Sequence, residues 1–124
     1  MPIDEIIDPA AFAGLLDSLE GDVDFLSELV EAYLASSPGL FAGMRQAIAS
    51  GETSALQRAA HSLKTGSASF GALAFAAQCK ELEELGKMGA LAGAEAKFGA
   101  LEVAYSEVVA GLQARVESAR SARA

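Results

Sequence analysis

One histidine, one cysteine, three prolines and no tryptophan are found in this 124-residue sequence. The lone Cys leaves no internal disulfide framework and fits a reducing compartment. A single His and a single Cys, 18 positions apart on different predicted helices, are too few ligands for zinc or copper, so no metal site is expected. Basic residues are scarce: 9 Lys and Arg against 17 Asp and Glu give a formal charge of −8. That balance excludes the cationic clusters that bind nucleic-acid phosphates by releasing counterions. No apolar run approaches the roughly 20 residues that span a bilayer. The opening MPIDEIIDPAAF has acid where a signal peptide needs Lys or Arg. A cytoplasmic protein without membrane contact is expected. Nucleotide machinery is also missing: the sequence has no GxxxxGK[ST] loop, no Gly-rich turn between strand and helix, and no Asp cluster placed to hold Mg²⁺.

What is abundant is apolar and helix-forming. Hydrophobic residues make up 52% of the chain, enough for one compact domain, and Ala, Leu and Glu lose little rotamer freedom in a helix. Asp8 followed by Pro9 marks a helix start, and the short helix it opens ends near Gly21. From Asp22, the residues Leu26, Val30, Tyr33, Ser37, Leu40, Met44 and Ala47 recur at steps of three and four, which predicts one long helix to about Ser50, bent at Pro38. Leu56, Ala60, Leu63, Ser67 and Phe70 form the next stripe. Phe75, Cys79, Leu82 and Gly86 form another, with Cys79 on the core side. The last runs through Ala94, Phe98, Leu101, Tyr105, Val108 and Leu112. Helices joined by short turns run antiparallel, so the expected fold is all-α: an up-down four-helix bundle with a short additional N-terminal helix. Residues 1–7 read as an N-terminal extension, 8–114 as the bundle and 115–124 as a fraying tail.

The one histidine sits in AAHSLKTGSASFGA, residues 59–72. At about 100° per residue, His61 projects about 140° from the centre of its helix's apolar stripe, and therefore outward. Gln57, Lys64, Thr65 and Ala68 share its flank, so nothing bulky blocks approach to the ring. A neutral imidazole is a competent nucleophile near neutral pH. Lys64, one turn on and about 5–6 Å away at Cβ, places a cation where an anionic group on the ring nitrogen would sit. That arrangement suits a phosphoryl group, which must come from one protein and leave to another because the chain has no means of making it. Ser62, Ser67 and Ser69 do not complete a hydrolytic triad: neighbours in sequence do not face each other on a helix, and Ser67 lies on the core stripe.

These residues resemble the motif of histidine-containing phosphotransfer (HPt) domains, a helix bearing A-H-x-L-K followed by small residues and a hydrophobic residue before Gly. His61, Leu63, Lys64, Gly66, Ser67, Ala68, Phe70 and Gly71 carry the match, and the resemblance covers roughly residues 8–113. It implies a four-helix bundle whose His61 accepts a phosphoryl group from a receiver-domain Asp and donates it to another, with Lys64 as electrostatic partner. The partners implied are receiver domains of hybrid histidine kinases and response regulators. The chain itself carries no cofactor, Mg²⁺ being expected in the receiver, and is not an enzyme. Docking onto the receiver would use Thr65, Ala68, Leu73, and Phe12 and Leu15 of the first helix. Two positions depart from the pattern. Thr65 stands where many members have Gly or Ser, and Glu83 where many have Gln. A carboxylate at 83 would repel phosphate, which leaves Gln57 or Gln78 as substitutes. A stand-alone, monomeric relay protein is the expectation, and a helical adaptor that binds receivers or kinases without carrying phosphate is the alternative.

Overall fold

The computed structural model describes residues 2–123, so Met1 of the expected extension and Ala124 of the expected tail lie outside the described residues. Six helices follow in order: α1 (Ile3–Ile6), α2 (Pro9–Ser18), α3 (Val23–Ser50), α4 (Thr53–Ser69), α5 (Leu73–Met88) and α6 (Ala94–Arg123). Their starts follow local chemistry. The Asp8 carboxylate accepts from the Ala11 amide at 2.8 Å ahead of Pro9 at the first helical position, and Asp22 caps α3 through the Phe25 amide at 3.0 Å.

The four long helices close into the predicted bundle, with α3 against α4 and α6, and α5 against α4 and α6. All of the predicted stripe residues on α4 and α5 are buried. On α3 one stripe position differs: Phe41, not Leu40, enters the core and stacks tilted on Phe98 and Tyr105, with centroids 5.9 and 4.9 Å away, while Leu40 packs partly buried at its edge. The predicted Met44 and Ala47 beyond it are buried, so the stripe keeps its register, and positions 40 and 41 both lie within the wide apolar face that a core helix presents. Pro38 does not break α3, which runs through it unbroken. One turn earlier, the hydroxyls of Ser36 and Ser37 both donate to the Tyr33 carbonyl, at 3.1 and 2.7 Å.

Two boundary expectations are corrected. Residues 3–6 of the supposed extension are helical and end on Ile7, which is fully buried. The supposed fraying tail is the last part of α6: Val116 is buried, Arg115 bonds Asp4 and the Ile7 carbonyl, and Arg120 bonds Asp24. Ion pairs and one buried valine hold a segment whose mostly small, polar side chains give little periodic signal.

The α4–α5 pair packs most extensively. Gly86 is the reason the two backbones come so close: a Cβ there would stand 2.7 Å from both the Gln57 nitrogen and the Thr53 carbonyl oxygen. This contact sets the register that places the middle of α5 beside the middle of α4. At the turn between them, Gly71 has φ +88° and its carbonyl accepts from the Asp8 amide at 2.8 Å, pinning the start of α2 to the same corner.

Candidate functional site

His61 lies on the outward flank of α4 with its side chain 57% exposed. Its surroundings are low, because the Thr65 hydroxyl turns back to the His61 carbonyl at 3.0 Å and the Ser69 hydroxyl to the Thr65 carbonyl at 3.0 Å. Beyond them an open depression is lined by Lys64, Ala68, Leu73, Ala76, Ala77 and Lys80. A second runs along the other side of α4 between Leu15, Leu29, Tyr33 and Phe70.

Across from His61, Glu83 reaches over from α5. Its Oε2 lies 2.7 Å from His61 Nδ1, and its Oε1 accepts from Lys64 Nζ at 2.6 Å. Glu83 is only 16% exposed, so this carboxylate sits in the crease between the helices while the ring stands in solvent. The hydrogen bond from Lys64, and to a smaller extent the one from His61, outweighs partial burial and holds the Glu83 carboxyl below its ordinary value. An ionised carboxylate only accepts, so the Nδ1 that it meets carries the hydrogen.

On the core side of α4 the helix is tied to α3. Tyr33 Oη and Ser67 Oγ meet at 2.6 Å in the core, and Gly66 lies against the Tyr33 ring. Burial holds the Tyr33 phenol well above its ordinary value and pushes the Cys79 thiol up to about 12, so neither ionises near neutrality.

The residues expected to form the site separate into those brought together and those set apart. Lys64 and Glu83 meet at His61. Gln57 is half-buried one turn before His61. Gln78 faces elsewhere, lining a small cavity with Ile6, Phe75 and Glu107 on the α5–α6 side, which removes it from the histidine's environment. Thr65, Ala68, Leu15 and Leu73 border the site, with Leu73 half exposed. Phe12 is buried at 5% exposure because the Gly71 corner draws the start of α2 inward, so it is a core residue and presents no docking surface. Glu83 faces the ring's Nδ1 edge, and its charge is matched by Lys64. Sequence reasoning did not pick out Lys80, whose place on the rim depends on the α4–α5 register.

The family model described as the Hpt domain matches residues 28–120. The chain belongs to the Hpt domain family. Hpt proteins are phosphoryl carriers that work with receiver domains in phosphorelays, and this chain is a histidine phosphotransfer protein of that kind. Its structure is similar to the crystal structure of histidine-containing phosphotransfer protein B (HptB) from Pseudomonas aeruginosa PAO1, with 28% sequence identity and a TM-score of 0.82 over 91% of this chain and 96% of that one. Among curated proteins, none matches the chain. Among the described residues of this Hpt protein, no helix is long and apolar enough to cross a membrane, and no group of three or more His, Cys, Asp or Glu is placed to hold a metal.

Proposed function

We propose that this Hpt protein acts alone, as a cytoplasmic monomer, and that His61 takes a phosphoryl group from the aspartate of one receiver domain and delivers it to the aspartate of another. The observation that carries this reading is the single imidazole of the chain, standing in solvent on α4 amid small side chains, beside a cation from the same helix. The receivers would be those of hybrid histidine kinases and response regulators. Each would bring the acidic pocket and Mg²⁺ that activate phosphorus, while this chain brings a positioned nucleophile. Lys64 adds positive charge on the flank where the phosphoryl oxygens would lie. Thr65, Ala68, Leu15 and Leu73 supply the low, partly apolar border onto which a receiver surface would settle.

The test is incubation with a panel of phosphorylated receiver domains, followed by a search for acid-labile, alkali-stable phosphate, with His61→Ala alongside. Label on the native chain and none on the variant is expected. Binding of receivers without label on either protein would replace the relay with an adaptor role.

A further inference from the structure

Arg45, Lys64, Lys80, Lys97, Arg115 and Arg120 each meet a carboxylate within 4.0 Å. Among the described side chains, two cations are left without one: Arg58 on α4 and Lys87 at the end of α5. Arg58 precedes His61 by three residues, as Lys64 follows it by three, so the two bracket the ring one turn back and one turn on, with Cβ atoms about 5–6 Å from that of His61. At about 100° per residue they stand about 60° to either side of it, Lys64 toward α5 and Arg58 away from α5. Their charges are not equally available. Lys64 Nζ lies 2.6 Å from Glu83 Oε1, so its charge is already matched by a carboxylate, whereas Arg58 is exposed and uncommitted. Glu83 occupies the α5 side of the ring, which leaves the solvent side and the Arg58 side to an arriving group.

We infer that Arg58 is a phosphoryl-binding residue: its guanidinium takes the phosphoryl oxygens on His61 from the side opposite Glu83, a task that the Lys64–Glu83 pair leaves open. This rests on the relay reading above. As the lone pair of the ring nitrogen forms the N–P bond, the P–O bond to the receiver's aspartate breaks and its electron pair leaves with the carboxylate. Three oxygens and their negative charge then stand on the imidazole. A planar guanidinium meets two such oxygens at once through parallel N–H donors, which an ammonium cannot, and it stays charged throughout the neutral range. The formal charge of −8 gives this local cation more to do, because the field of the rest of the chain opposes an arriving anion. The contact is open to solvent and therefore weak enough to let the phosphoryl group go on to the next receiver. Arg58 lies outside the A-H-x-L-K run, and its outward phase alone marks nothing but a solvated surface residue.

The experiment is a ³¹P NMR titration of the chain phosphorylated with phosphoramidate, a small donor that needs no receiver. It compares the native protein with Arg58→Gln, Arg58→Lys and Lys87→Gln, the amide spectrum checking in each that the bundle is intact. A phosphoryl group on a side chain loses its last proton near about pH 6, and a neighbouring cation lowers that value. Glu83 and Lys64 also face the ring, but they are common to all four proteins and drop out of the comparison. Arg58→Gln should titrate about half a pH unit above the native chain and take up phosphate about threefold more slowly, the size that an exposed ion pair supports. Arg58→Lys should recover most of the shift, and Lys87→Gln should leave the titration where it is. If Arg58→Gln titrates and labels like the native chain, or if Lys87→Gln matches its shift, the role of Arg58 is overturned while the relay reading stands. Absence of phosphate on His61 of the native chain overturns the relay reading and the role of Arg58 with it.

Discussion

Tyr33 on α3 and Ser67 on α4 share a buried hydrogen bond of 2.6 Å directly under the turn that follows His61. Phe70 packs beside them, its ring centroid 5.3 Å from that of Tyr33. The pair ties the helix that carries the histidine to the longest helix but one. Tyr33→Phe removes one partner and leaves the Ser67 hydroxyl buried without it, so we expect a loss of about 1–2 kcal/mol in denaturant unfolding. His61 lies on the opposite flank of α4, so phosphorylation of the variant should be unchanged.

Gly86 offers a sharper test of how the site is assembled. Alanine improves helix propensity by about 1 kcal/mol, but the added Cβ would meet backbone atoms of Thr53 and Gln57 at 2.7 Å. Backbone cannot rotate away as a side chain can, so α4 and α5 must part. Gly86→Ala should destabilise the bundle by about 2 kcal/mol in thermal unfolding and lengthen the Glu83–His61 contact, which would be seen as loss of the Nδ1 hydrogen-bond signature in NMR.

The lowered Glu83 carboxyl predicts a pH dependence of stability. Its folded value is below the ordinary 4.5, so the unfolded chain binds that proton more readily. The stabilising contribution is therefore complete above about pH 4.5 and is lost as pH falls through the lower folded value. Glu83→Gln should be less stable than the native chain at neutral pH, and the gap should narrow on acidification below about pH 4.5. Urea midpoints measured across that range decide it. A constant gap would mean that the charge of Glu83, held between Lys64 and His61, contributes nothing to the fold.

Much of this architecture is legible in the sequence, and what is not has identifiable physical causes. The four stripes on α3 to α6 predict the bundle because burial selects a 3.6-residue period, and the outward phase of His61 follows from the same period. A helix of four residues such as α1 has no period to read, and only the buried Ile7 betrays it. The end of α6 is missed because it is held by charges 111 and 96 residues away in sequence, to Asp4 and Asp24. Glu83 is identified as a site residue from its position in the motif, yet its effect depends on which edge of the imidazole it meets. That edge is decided by the α4–α5 register at Gly86, a contact between two segments that sequence periodicity treats separately. Phe12 misleads for the same reason, since only the docking of Asp8 at the Gly71 corner turns it inward.

The Arg115 bonds to Asp4 and to the Ile7 carbonyl have a consequence for how the chain assembles. During synthesis α4 and α5 are neighbours in sequence and can pair as a hairpin as soon as residue 88 is available, which forms the crease that holds Glu83 against His61. Helix α1 is secured later than that hairpin, because its latch, Arg115, lies far along α6. The His61 site is thus built from contacts local in sequence, whereas the seam between α1 and α6 waits for Arg115.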